Sequence, residues 1–277
     1  MASLGSSPPR HPTEQTKRST NHLPVKLAYD RWAAVYDVDG NFLQALDDRE
    51  LTWLLPDFLT LLPRSSEEQK LRIMDLGCGT GRNTVKLLKI RNARVTGLDV
   101  SLRMLERAES RCYAFHDSLP PEWNVDRPRF KYHDMIEDEA IPQDISKNFQ
   151  GVISTLVLEH IPLSTFFRFA WNTLAPGGVL LVTNMHSDMG AISQAGFLDP
   201  LTEEKVQTIS YIHQIRDVIA ESEKIGFERV SGIHERKVEQ EMLEALGQRA
   251  KKWDGIQCWF GMIFKKPDRI KRLSLIH

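Results

Sequence analysis

Residues 75–84 read Asp-Leu-Gly-Cys-Gly-Thr-Gly-Arg-Asn-Thr, with Gly77, Gly79 and Gly81 at alternate positions and a carboxylate, Asp75, two residues ahead of the first. Glycine loses more conformational freedom on folding than any other residue, so this density is justified only where the backbone must come close to something. Such a loop offers N–H groups to a ligand with no Cβ in the way. Asp99 stands eighteen residues after Gly81, at the end of the apolar segment RVTGLDV. A carboxylate at that place can accept hydrogen bonds from both hydroxyls of a ribose. Asp134 follows RFKYH, where a carboxylate could meet an exocyclic amine.

Two common nucleotide loops do not match. The dinucleotide fingerprint is G-x-G-x-x-G, whereas the third glycine here comes one place early and Asp75 would repel a pyrophosphate. The phosphate loop GxxxxGK[ST] does not occur. An acid beside the loop suits a cationic ligand with a free amino group. S-adenosylmethionine joins a ribose, an adenine, an α-ammonium and a sulfonium in one molecule.

Periodicity places these residues on elements. An apolar run at 71–76 predicts a strand leading into the loop, and 83–90, with Val85, Leu87 and Leu88 inward, predicts the helix after it. A second strand is expected at 94–100. Ser101 then caps a helix whose Leu102, Leu105, Ala108 and Cys112 share one face. Further strands are expected at 129–133, 149–156, 179–183, 227–234 and 258–264, and helices at 24–37, 42–61, 163–174, 212–224 and 237–253. Strands alternating with helices imply βαβ units, hence an α/β, Rossmann-like, doubly wound and mostly parallel sheet. The last strand follows its predecessor with only a helix between them, which fits an antiparallel edge strand.

The chain has 277 residues and a formal net charge of -1, so no overall basic field favours nucleic acid or an anionic membrane. No apolar stretch reaches the ~20 residues of a membrane span. Three widely spaced cysteines without a CxxC argue against a disulfide framework or a metal site and fit a reducing, cytoplasmic setting. Residues 1–22, polar and rich in Ser, Pro and Thr, are expected to be a disordered tail, with a mitochondrial presequence as the alternative; 267–277 are read as a second, solvated tail. The remainder, 23–266, is expected to be one domain, with 23–63 as an N-terminal helical cap.

The combination MDLGCGTG, GLDVS, STLVLEHI, LAPGGVLLVT and YDRWAAVYD resembles the class I S-adenosylmethionine-dependent methyltransferases, in the small-molecule branch called methyltransferase 11 or UbiE-like. The likeness spans about residues 28 to 264. It implies a seven-stranded sheet with a reversed last hairpin. It also implies that Asp75 and the backbone of Gly77 and Gly79 hold the methionine part of S-adenosylmethionine. Asp99 would hold the ribose and Asp134 the adenine amine, with Val100, Met104 and Met135 packed on the base. Tyr29 would reach the methionine carboxylate, and Thr155 or Leu156 would supply backbone near the amino group. One departure is that Gln150 follows Phe149 where the family often has an acid.

Displacement at a methyl group on sulfur needs a base only if the nucleophile must lose a proton. His160 and His186, just past the fourth and fifth expected strands, are the candidates, each set against a plain capping role. The expected activity is methyl transfer to oxygen or nitrogen of a small-molecule acceptor, with segments 184–208 and 235–256 covering it. The rival readings are a protein or RNA methyltransferase, or a cofactor-binding regulatory subunit without turnover.

Overall fold

The computed structural model describes residues 20–64, 69–138, 140–143, 145 and 147–268. Strand β1 (Thr20–Leu23) leads into helix α1 (Val25–Trp32), and turns carry the chain to α2 (Phe42–Thr60). There follow β2 (Leu71–Leu76), α3 (Thr84–Leu87), β3 (Ala93–Asp99), α4 (Leu102–Asp117), β4 (Arg129–Tyr132), β5 (Phe149–Thr155), α5 (Leu163–Thr173) and β6 (Leu174–Met185). The rest holds α6 (Ser187–Ile192), β7 (Gly196–Leu198), β8 (Lys205–Thr208), α7 (Ile215–Ile225), β9 (Glu228–Arg229), β10 (His234–Lys237), α8 (Leu243–Leu246) and β11 (Gln257–Lys265).

The central sheet runs β10-β11-β6-β5-β2-β3-β4, with the two-residue β9 attached to β11. Strands β2 to β6 are mutually parallel, and β11 is antiparallel to β6 and β10. Strand order therefore reverses between β2 and β5, and the glycine loop leaves the carboxyl end of β2 at that switch point, where open α/β sheets bind ligands. Side chains alternate across the sheet. On β6, Leu181 joins Leu54 and Phe58 of α2 in one core, while Leu180 and Val182 join Phe166 and Phe167 of α5 in the other. All of these are fully buried, and each contributes about 1.5–3 kcal/mol by leaving water. Among the described residues, no helix is long and apolar enough to cross a membrane.

Several elements differ from expectation, each for a local reason. The helix expected over 24–37 ends at Trp32. Beyond it the chain is pulled aside, because Trp32 Nε1 donates to Asp39 Oδ2 at 2.9 Å and Thr80 Oγ1 donates to Asp37 Oδ1 at 2.8 Å. The apolar stripe over 237–253 is buried at Val238, Met242, Leu246 and Ala250, but it is not one helix. Val238 instead bonds backbone to backbone with Gly255 and Ile256, and Gly247 breaks the path at φ +83. The strand expected at 227–234 splits into β9 and β10. The connector 184–208 holds α6, β7 and β8, and the helix after it starts at Ile215. Residues 20–22, read as tail, belong to β1, which pairs parallel with β8 in a separate sheet of order β1-β8-β7. The tail readings for 1–19 and 269–277 lie outside the described residues.

Candidate active site

All three loop glycines have positive φ: +75 at Gly77, +52 at Gly79 and +78 at Gly81. Gly79 lies on the wall of a cavity, and a Cβ there would have no neighbour within 4 Å. A Cβ at Gly77 would lie 2.3 Å from Val157 Cγ2, so the loop is pressed against the end of β5. Replacing Gly77 by alanine combines that overlap with an unfavourable backbone region, so a loss of about 1–3 kcal/mol in stability is expected. An unchanged urea midpoint for Gly77→Ala would show that the loop relaxes freely.

The loop is held from three sides. Asp99, at the end of β3, accepts from the N–H of Gly79 through Oδ2 at 2.8 Å and from the N–H of Ser101 through Oδ1 at 2.8 Å. Removal from water pushes its carboxyl up to about 6. Asp75 lies beneath the loop, 1% exposed, with Oδ2 accepting from Thr84 Oγ1 at 2.6 Å. Its Oδ1 has no hydrogen-bond partner among the described residues, and burial raises this carboxyl to about 6 as well. From above, α1 is tied down by Asp30, which takes Ser101 Oγ at 2.7 Å, and the segment after it by Asp37, which takes Thr80 and Arg111.

The cavity, of about 380 Å³, gathers residues from six regions. Tyr29, Gly77, Gly79, Asp99, Val100, Asp134, Met135, Thr155, Leu156 and His160 all line it. Asp134 is fixed by an Asx-type turn, its Oδ1 accepting from the N–H of Ile136 at 2.9 Å. Tyr29 Oη and His160 Nε2 are hydrogen-bonded at 2.8 Å. Burial pulls His160 down to about 4, so its ring is neutral near pH 7. Leu156 is a non-glycine residue at φ +57 directly after β5, a sparsely populated conformation of the kind that clusters at functional sites.

Three expected residues are not on this wall. Asp75 is screened by the loop it supports. Met104 is fully buried in a small core with Ala28, Trp32 and Phe197, because it faces α1 rather than the cavity. His186 is the N-cap of α6: Nδ1 accepts from the N–H of Asp188 at 3.1 Å, and Nε2 meets Glu235 Oε1 at 3.0 Å. With both ring nitrogens engaged, and off either cavity wall, it is not placed to meet a reacting atom.

A second, smaller cavity of about 130 Å³ adjoins the first, and Tyr29, Tyr36 and Leu156 line both. Its wall includes apolar Phe42, Leu43, Met185, Met189 and Trp253, and the acid Glu159. Glu159 sits on a short 3-10 turn, Leu158–His160, and is 3% exposed. Its Oε2 has no hydrogen-bond partner among the described residues, and burial pushes the carboxyl up to about 7. Only its place beside His160 could have marked Glu159 in the sequence. Strand β7 closes this side, with Phe197 stacked on Trp32 at 5.0 Å between ring centres.

The comparisons agree with this geometry. The sequence profile of a family described as a methyltransferase domain matches residues 73–178. An uncharacterized methyltransferase of Emericella nidulans is 45% identical over 254 residues, covering 85% of this chain and 88% of that protein. A demethylmenaquinone methyltransferase of Tropheryma whipplei is 27% identical over 57% of each chain. Among solved structures, a putative sarcosine dimethylglycine methyltransferase from Galdieria sulphuraria shares the fold at TM-score 0.56 and 16% identity, over 80% of this chain and 87% of that one. An S-adenosylmethionine-dependent methyltransferase from Mesorhizobium loti does so at TM-score 0.52 and 19% identity, over 76% and 96%. With Gly77 and Gly79 of the loop lining a cavity that Asp99 and Asp134 also line, at the switch point of the sheet, the chain belongs to the class I S-adenosylmethionine-dependent methyltransferases.

Proposed function

We propose that the chain methylates an oxygen or nitrogen of a small organic molecule held in the inner cavity. The observation that carries this reading is the common wall, since Tyr29, Tyr36 and Leu156 separate a cofactor-sized space from a small one of mixed polar and apolar lining. S-adenosylmethionine, when bound, supplies a methyl carbon on a cationic sulfur that keeps the bonding electron pair when a nucleophile takes the methyl. The backbone of Gly77 and Gly79 holds its methionine part, with Asp75 bracing the loop from behind. Asp99 takes the ribose hydroxyls and Asp134 the adenine amine, and Val100 and Met135 flank the base. Thr155 and Leu156 offer backbone near the amino group. Orientation of the two reactants across the common wall is the main source of rate, worth up to ~7–11 kcal/mol in favourable cases.

Proton removal falls to Glu159 in this reading. His160, with its low pKa and its bond to Tyr29, positions the tyrosine instead. A carboxyl near 7 is half ionised at neutral pH, and only the ionised form accepts a proton. The rate at saturating cofactor should therefore rise with pH through about 7. Glu159→Gln should lower it by about 10²-fold or more and flatten the profile. An unaltered rate and profile would remove Glu159 as the base. Segments 184–208 and 235–256 form the cover: Ser193, Gln194, Gly196, Lys205, Arg249, Lys252 and Trp253 of the inner wall all come from them. A space of about 130 Å³ suits a small acceptor better than a protein or RNA chain. Labelled-methyl transfer to small molecules, with none to macromolecules, is the expected result.

A further inference from the structure

The inner cavity continues into an outer cleft of about 440 Å³, and the two share Gly196, Lys205 and Arg249. Lys252 joins them on the inner wall. Lys205 of β8 and the neighbouring Arg249 and Lys252 of the turn after α8 thus converge on the way in, although some 45 positions separate the two segments.

The acid nearby does not balance them. Asp39 lies on the cleft with Oδ2 3.4 Å from Arg249 Nη1, which also donates to the Asp39 carbonyl at 2.9 Å, so this one carboxylate offsets Arg249 and leaves the two lysines uncompensated. Lys252 lies over the ring of Trp253 at 4.8 Å from its centre. Among the described residues, neither Lys205 nor Lys252 has a carboxylate in ion-pairing contact. Burial and the charges of Arg249 and Lys205 hold Lys252 below the ordinary lysine range, so these groups are near enough to repel one another. A like-charge cluster at a cavity mouth raises the local concentration of anions and is relieved by one.

The other end of the cavity has the opposite character. Glu159 lies there, next to the His160–Tyr29 pair and the common wall. The rest of the lining includes the apolar side chains of Phe42, Met185 and Met189. A molecule anchored at the mouth by an anionic group would lay its body along Phe42, Met185 and Met189 and direct its far end at Glu159.

We propose that the methyl acceptor is a small organic anion, gripped through a carboxylate or phosphate by Lys205, Arg249 and Lys252, and methylated at a hydroxyl or amine on its opposite end. This rests on the reading of the inner cavity as the acceptor site.

The test uses the full chain with methyl-labelled S-adenosylmethionine. A small-molecule extract of the producing organism is first divided on an anion exchanger, and each fraction is assayed. The retained, acidic fraction should yield a labelled small product. Product that survives phosphatase treatment of that fraction assigns a carboxylate, and its loss assigns a phosphate. With that fraction, Lys205→Gln and Lys252→Gln should each raise the apparent KM by roughly tenfold or more, the loss of a charge-assisted contact. Lys252→Arg should restore it, and S-adenosylhomocysteine affinity by calorimetry should stay at the wild-type value in all three. Label arising from the unretained fraction, or unchanged KM in both glutamine variants, would overturn the anion proposal and leave the small-molecule reading standing. Label found only on macromolecules would overturn that reading, and this proposal with it.

Discussion

Asp47→Ala is expected to cost about 3–5 kcal/mol of stability, the range for removing one partner of a buried charged pair. Asp47 is fully buried in α2 yet serves three elements at once. Its Oδ1 accepts from Thr183 Oγ1 of β6 at 2.6 Å and from Trp259 Nε1 of β11 at 2.9 Å. Its Oδ2 accepts from Arg82 of the glycine loop at 2.7 Å. Alanine would strand an indole N–H, a hydroxyl and the Nη2 end of the Arg82 guanidinium in the interior. Arg82 keeps Asp48, so the loss is not the whole of its pairing. At roughly 2–4 °C per kcal/mol for a domain of this size, the melting temperature should fall by ~10 °C or more. Asp47→Asn keeps an acceptor for Thr183 and Trp259 while losing the charge facing Arg82, and should fall between. Combining Asp47→Ala with Arg82→Ala should cost less than the sum, because the two share one interaction. A melting temperature for Asp47→Ala at the wild-type value would show that the network is dispensable.

That network also marks where reading the sequence stops. The strands β2, β3, β5 and β11 were legible because each is an apolar run buried on both faces, and the glycine loop was legible because of its composition. Asp99 and Asp134 were legible because a carboxylate closing a parallel strand lies at the ligand edge. By contrast, Asp47 sits among charged residues in DDRE, where Glu50 is buried as well, and nothing local distinguishes these two from the partly exposed Asp48 and the exposed Arg49 between them. The pairing of β1 with β8 joins two short polar segments some 185 positions apart, such as Thr20 with Lys205, and leaves no periodic trace. The broken helix over 237–253 has the right stripe but the wrong backbone, since burial at spacing four is met equally by turns. His186 and Met104 were read from position alone. Whether a side chain enters a cavity or caps a helix depends on rotation about one element, which periodicity does not resolve. Glu159 and His160 are adjacent, yet a tight 3-10 turn puts both on cavity walls, one of them unmarked by motif.

Asp99→Ala should weaken binding of S-adenosylhomocysteine by on the order of 1.5–3 kcal/mol, about ten- to 150-fold in affinity, if its carboxylate takes the ribose hydroxyls. Part of that loss would be indirect, because alanine also frees the N–H groups of Gly79 and Ser101 that Asp99 now holds. Asp99→Asn separates the two: its oxygen can keep one of those bonds, whereas its amide cannot accept from a second donor. The pH dependence gives an independent reading. With its carboxyl near 6 in the free protein, Asp99 is ionised above that value and protonated below it. Ribose hydroxyls donate to the ionised form, so wild-type affinity should hold above pH 7 and fall as pH drops through 6. In Asp99→Asn the fall should be shallower, with the remainder due to Asp75, which lies under the same loop with a similar value. Calorimetric titrations from pH 5 to 8 on both proteins measure this directly. Equal affinities at every pH would place the ribose elsewhere in the cavity, and equal slopes would assign the dependence to Asp75 alone.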